Sequence, residues 1–190
     1  MKIYTIIGGV NGAGKNSLTG VLKAETNDLG TVIDVNKLAA SLGGSNLKAG
    51  KAAVQKIGRL LEQGASFTQE TTLAGRKTEQ TARKTRERGY YVRLYYIGLN
   101  SADESIKRIA NRVAKGGHDI PQEDVYRRFG SRFDSLLRVL PLCDEAAFYD
   151  NENGFVEVAN YQNGEIIPKG DYRPAWLREL MEYATREQLG

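Results

Sequence analysis

Residues 9–17 read GVNGAGKNS, and this stretch carries the strongest chemistry in the chain. Gly9, Gly14 and Lys15 meet the phosphate-loop spacing G-x-x-x-x-G-K-[ST], in which glycines let successive backbone N–H groups turn inward around phosphates. Asn11, Gly12 and Ala13 complete the cradle. A helix opening at Lys15 adds its positive dipole end, and the lysine bridges the outer phosphates of a nucleotide such as ATP. The chemistry implied is nucleotide binding with phosphoryl transfer. The ordinary alternative is a glycine-rich turn with an exposed lysine. Placement favours the phosphate loop, because the segment follows an apolar run and precedes a helical pattern. Asn16 departs from the template, standing where a hydroxyl normally faces Mg²⁺. A longer side chain, half donor, is a poor ligand for a small octahedral ion, so a weakened metal position at Asn16 is expected. Ser17 is expected to contact an inner phosphate.

The elements that must position this loop are legible from periodicity. Residues 2–8 form a short β-branched run ending in glycine, a buried first strand. A helix is expected over residues 15–24 with Leu18, Val21 and Leu22 inward, then a strand at 31–34. Residues 39–50 read as a loop or short helix, and 51–63 as a helix with Val54, Ile57, Leu60 and Leu61 on one face. A third strand at 66–70, a polar helix at 78–88 and a strong strand at 90–99 follow. Tyr90, Tyr91, Tyr95 and Tyr96 belong to that strand and read as core rather than as a stacking platform for bases. Ser101 and Glu104 form a capping box. Pro121 opens a helix whose face carries Val125, Phe129, Leu136 and Leu140. A core strand at 146–149, a hairpin turning at Asn163-Gly164 and a helix over 173–187 end the chain, the last two expected as an appendage. Strands alternating with helices imply a single-domain α/β fold with a doubly wound, mostly parallel sheet.

Composition narrows the classes. The chain has 190 residues, one cysteine and one histidine, so it offers neither an internal disulfide nor a histidine-based metal cluster. Cys143 lies in an apolar stretch and reads as a packing thiol. The net charge of +4 suits anionic ligands without calling for nucleic acid. No apolar run is long enough to span a bilayer, and residues 1–9 do not read as a signal peptide, so no membrane association and a cytoplasmic location are expected. A transporter-type ATPase is disfavoured by the lack of an apolar strand ending in Asp-Glu.

Further strings join the loop: VIDVNKLA at 32–39, QETTLAG at 69–75 and RVAKGGHDIP at 112–121. In this order they resemble the zeta-toxin-like kinases, and more narrowly the branch named for zeta toxin or UDP-N-acetylglucosamine kinase. The resemblance covers about residues 1–150. It implies a P-loop kinase fold, ATP with Mg²⁺ as donor, a nucleotide-sugar hydroxyl as acceptor, and an antitoxin protein as partner. It also implies a catalytic Asp after the second strand. Matching VIDVN to that pattern puts Asn36 at the catalytic position; an amide hydrogen-bonds a hydroxyl but cannot take its proton. Asp34, two residues earlier, is the alternative base or metal ligand, and it faces the same side as Asn36 if the strand continues. Glu70, Thr71 and Thr72 become acceptor-side contacts, against a reading as a locally bonded strand end. Arg112 becomes a catalytic lid residue, with His118 and Arg128 as companions around the flexible Gly116-Gly117 pair. For the Arg108, Arg112 and Lys115 stripe, a solvated basic face is the plain alternative.

Overall fold

The computed structural model describes residues 1–43 and 45–188, with the side chains of Asn36, Asn46 and Gln188 outside the description. The first strand, β1 (Ile3–Gly8), is buried throughout and runs into the glycine loop. Then follow α1 (Lys15–Glu25), β2 (Thr31–Asp34), α2 (Val35–Ser41), α3 (Asn46–Gln63), β3 (Phe67–Thr71), α4 (Lys77–Glu87), β4 (Tyr91–Gly98) and α5 (Ala102–Ala114). The remainder is α6 (Gln122–Gly130), α7 (Arg132–Val139), a 3₁₀ turn (Leu140–Leu142), β5 (Glu145–Asp150), β6 (Val156–Gln162), β7 (Glu165–Pro168) and α8 (Ala175–Gln188).

A seven-stranded sheet has the order β2-β3-β1-β4-β5-β6-β7. The strands from β1 to β5 pair in parallel, and β6 and β7 add antiparallel to the edge. The chain leaves β1 toward β2 and returns to insert β3 between them, which makes a topological switch point. Crevices form at the carboxyl ends of strands at such points. Side chains alternate accordingly. Tyr4, Ile6, Val92, Leu94 and Tyr96 join the larger core with Phe67, Phe148 and Leu136, whereas Ile7 and Ile97 join Leu18, Leu22 and Leu29 under α1. Ile109, Ile120 and Val125 form a satellite cluster between α5 and α6. Among the described residues, no helix is long and apolar enough to cross a membrane.

Several expectations change. The hairpin is no appendage: β6 extends the sheet through β5, and Trp176, Leu177 and Leu180 of α8 are buried in the larger core. Asn163 and Gly164 both have positive φ, 53° and 89°, as a two-residue hairpin turn of this hand requires. The single helix expected after Pro121 is two, parted at Gly130–Ser131. Val125 thereby packs in the satellite cluster, while Leu136 and Leu140 reach the main core. Arg132, just past the break, lies between the rings of Phe129 and Phe133 and bonds Glu179. Residues 39–50 are mostly helical. α3 starts early because the Ser45 side chain accepts from the Lys48 N–H, an N-cap that a weak apolar pattern does not reveal. Val21 and Val54 are exposed rather than inward. Cys143 is a packing thiol: it is buried, and loss of hydration pushes its pKa to about 12. Tyr90 and Tyr96 are core residues, while Tyr91 and Tyr95 are half-buried on the strand.

Gly98 ends β4 under the indole of Trp176. A Cβ placed there would come within 2.1 Å of the ring. The indole N–H also donates to Asp150 at 2.8 Å, so the ring is held on both sides. Gly98→Ala should therefore expel the indole and cost about 1–3 kcal/mol, the usual range for overpacking. The check is a fall in the urea midpoint with the slope unchanged; an unaltered midpoint would show that the indole relaxes freely.

Candidate functional site

The loop from β1 to α1 is held from outside by its carbonyls. Ser105 Oγ donates to the Asn11 carbonyl, and Asn151 Nδ2 donates to the Ala13 carbonyl at 2.9 Å. Lys15 Nζ donates to the carbonyls of Gly9 and Val10 at 2.8 and 3.0 Å. Gly12 and Gly14 have φ of 78° and 103°, and a Cβ on Gly14 would meet Asn151 Nδ2 at 2.4 Å. Glycine is thus required at 14 for both space and backbone conformation. The Ala13 N–H bonds the Val10 carbonyl at 3.3 Å, which withdraws it from the cradle. Gly12, Gly14, Lys15 and Asn16 surround the start of α1, where the first N–H groups of a helix have no intrahelical acceptor.

Beside the loop opens a cavity of about 510 Å³ at the carboxyl ends of β1, β2 and β3. Of the residues singled out from sequence, it brings together Asn11, Lys15, Asp34, Glu70, Thr71, Thr72, His118 and Arg128. Arg128 donates to Asn11 Oδ1 at 3.1 Å and pairs with Asp124, tying α6 to the loop. Glu70 is 8% exposed and accepts from Thr19 Oγ1 at 2.6 Å. Burial raises its pKa and Asp34 adds to that, while the Thr19 bond, Lys15 and Lys37 act against it. Lys15 shifts the other way. Desolvation brings its pKa from 10.5 to about 8, opposed by Glu70 and Asp34 and assisted by Arg112 and Arg128. Thr71 Oγ1 bonds Thr78 Oγ1 at 3.1 Å and accepts from the Leu73 N–H, so much of its capacity is used locally.

Other sequence candidates fall elsewhere. Ser17 is exposed on α1 and does not line the cavity. Arg112 also lies outside it and donates to the His118 carbonyl at 2.5 Å, holding the segment between α5 and α6 closed on itself. β2 stops at Asp34 and α2 begins at once, so strand alternation does not place Asp34 and Asn36 on one side. Asn36 sits in the first turn of α2; its side chain lies outside the described residues. Asp34 accepts from the Lys37 N–H at 3.3 Å as the cap of that helix.

At the expected metal position the Asn16 side chain is engaged by a cation of the chain itself. Asn16 Oδ1 accepts from Lys37 Nζ at 2.8 Å, and the same ammonium lies 3.9 Å from Asp34 Oδ2. Among the described residues no group of three or more His, Cys, Asp or Glu side chains is arranged to hold a metal. Lys37 thus holds the Asn16 oxygen that a divalent ion at this position would need.

Sequence reasoning did not single out Lys37, Thr19, Asn151 or Ser105. Asn151 had one available signal, its place just past the carboxyl end of β5, where ligands of a parallel sheet gather. The others depend on distant pairings such as Thr19 with Glu70, which no spacing discloses.

Fold and site together define a P-loop protein of the kinase-fold class. The Zeta toxin family model matches residues 46–153, and the chain belongs to that family. A Haemophilus influenzae protein described only as uncharacterized is 32% identical over 126 residues, spanning 64% of this chain and 88% of its own. Among solved structures, AvrRxo1-ORF1 with AvrRxo1-ORF2 and sulphate superposes with TM-score 0.70 at 18% identity, covering all of this chain and 65% of that one. The same pair has been solved with ATP, at TM-score 0.68, 17% identity and the same coverage of both chains. The Streptococcus pneumoniae PezAT toxin–antitoxin system gives TM-score 0.66 at 16% identity, over all of this chain and 86% of that one. These likenesses concern the fold. This chain spans less than two thirds, 65%, of the chain it matches in that complex. The family match begins after the loop and after Asn36, and covers Glu70, Thr71, Thr72, Arg112, His118 and Arg128.

The Lys15 shift has a pH signature. Phosphates favour the protonated ammonium, so ATP affinity should hold up to pH 8 and fall through pH 8–10, by up to about tenfold per unit. Lys15→Met should bind more weakly and lose this dependence. Folding of the ligand-free protein should respond with the opposite sign. The unfolded chain holds more protons between about 8 and 10.5, so the Lys15 contribution to stability rises with pH in that window. Calorimetric titrations across the range decide it; an affinity independent of pH up to 10 would contradict the shifted lysine.

Proposed function

We propose that this chain, acting as a single domain, is an ATP-dependent kinase that phosphorylates a hydroxyl of a nucleotide sugar, with UDP-N-acetylglucosamine the favoured acceptor. We further infer that its turnover is slow. The observation that carries this reading is the convergence of Lys15, Glu70, Thr72 and Arg128 on one cavity beside the glycine loop. A cavity of about 510 Å³ suits a ligand of this size. Its wall combines apolar Val35, Ala53 and Ile57 with hydroxyls of Thr78 and Thr81 and the cations Lys77 and Arg127. That mixture matches a base, sugar hydroxyls and a diphosphate.

In this reading the amides of Gly12, Gly14 and Lys15 cradle the ATP phosphates, and Lys15 leaves the loop carbonyls to hold the outer ones. Asn36 positions the acceptor hydroxyl without taking its proton, which passes to solvent or to Asp34. The acceptor oxygen bonds to the γ-phosphorus as the bond to ADP breaks. Arg128, and Arg112 once it leaves the His118 carbonyl, offset charge on the transferred group. Glu70, Thr71, Thr72 and His118 contact the acceptor. Membership of the Zeta toxin family and the toxin–antitoxin setting of PezAT support an antitoxin-type protein as partner.

A second reading, a nucleotide-binding protein without turnover, draws on a specific observation: Lys37 occupies Asn16 Oδ1 where metal chemistry would be centred. Mass spectrometry of nucleotide sugars incubated with ATP separates the two. The unaltered chain should give trace product. Asn36→Asp should raise the rate by about 10²–10⁴, the usual worth of a general base. Full activity without substitution would make Asp34 the base, and no transfer by Asn36→Asp to any nucleotide sugar would refute the acceptor class.

A further inference from the structure

Lys37 bonds the side chain that follows the loop lysine and pairs with the carboxylate that ends β2. In a metal-dependent P-loop enzyme the side chain after the loop lysine and a nearby acidic residue hold the divalent ion against the outer phosphates. Here those groups are Asn16 and Asp34, and one ammonium engages both. The Lys37 Nζ to Asn16 Oδ1 distance of 2.8 Å is that of a charge-assisted hydrogen bond. The 3.9 Å separation from Asp34 Oδ2 completes an ion pair. Local folding builds this placement. β2 passes directly into α2, Asp34 caps the helix through the Lys37 N–H, and the first turn delivers the lysine stem over the start of α1.

The charge balance agrees. Asp34 and Glu70 face Lys15 and Lys37, and Arg112 and Arg128 also act on Lys15, so the positive groups already outnumber the carboxylates. A divalent ion would have to displace Lys37 from Asn16 or lie beside two like charges, and Asn16 offers a neutral oxygen in return. Mg²⁺ also demands near-ideal octahedral oxygen geometry, whereas an ammonium needs only acceptors within reach of three rotatable donors. The Lys37 side chain is 64% exposed, so it can turn from Asn16 to a phosphate oxygen without leaving a core.

We propose that the Lys37 ammonium replaces the divalent cation, and that this chain binds the triphosphate of ATP without metal. The proposal rests on the nucleotide reading of the glycine loop and adds to it a specific form of the ligand: the metal-free polyphosphate.

Isothermal titration of the full chain with ATP, once in EDTA and once in MgCl₂, tests this. Binding in EDTA should match or exceed that in MgCl₂, within about threefold. Lys37→Met should lose about tenfold or more in EDTA, as expected when a charged hydrogen-bond donor is removed, with its circular-dichroism melt showing that it folds. Wild-type binding about tenfold or more tighter with MgCl₂ would overturn the proposal, without any need for the variant. So would Lys37→Met binding as wild type does in EDTA. Absence of binding in both buffers would refute the nucleotide reading itself, an outcome distinct from metal dependence.

Discussion

The site depends on a short backbone turn being kept open with its carbonyls facing outward. Glycine makes the turn sterically allowed, but does not by itself hold it. Two holding groups come from remote parts of the chain, Ser105 from α5 and Asn151 beyond β5, and a third, Lys15, folds back locally from the start of α1. Each fixes a loop carbonyl from outside the turn. The order of the sheet follows the same need, since β4 and β5 must lie on one flank of β1 for α5 and Asn151 to reach the loop.

Around that turn the chain concentrates charge in a partly dry setting. Glu70 and Lys15 shift in opposite directions for one reason: burial penalises both charged forms, and their mutual attraction offsets the penalty only partly. Arg128 adds positive charge from α6 while bonding the buried Asn11. Lys15 bonded to loop carbonyls is a waiting arrangement. Two of its three donors are engaged before a ligand arrives, and an incoming phosphate must replace those bonds with stronger ones to an ionised acceptor.

Much of the fold was legible because strands and helices here follow their periods. β1, α1, β2 and β4 fall within a residue or two of their expected bounds, and the Ser101 cap appears with its side chain accepting from the Glu104 N–H. Failures came where local signals were outweighed. The break at Gly130–Ser131 hides inside an apolar stripe that continues in phase on both sides. The Ser45 cap has no capping-box partner to announce it. At the site, the cavity gathers residues from the loop, the β2 end, the β3 end and α6, which the order of motifs suggested. The Lys37 contact with Asn16 was illegible, because it depends on α2 starting directly at the strand end rather than after further extended residues.

Desolvation of Lys15 carries a consequence in covalent chemistry. An amine with a pKa near 8 is partly uncharged in neutral solution, and a free amine lone pair is a nucleophile. Exposed lysines, near their ordinary value of about 10.4, are almost wholly protonated there. Activated esters, cyanate and aldehydes should therefore modify Lys15 more readily than a fully hydrated lysine side chain. A bound polyphosphate would draw the proton back and shield it. The modification rate of a single amine becomes a chemical report on whether the loop is empty or filled.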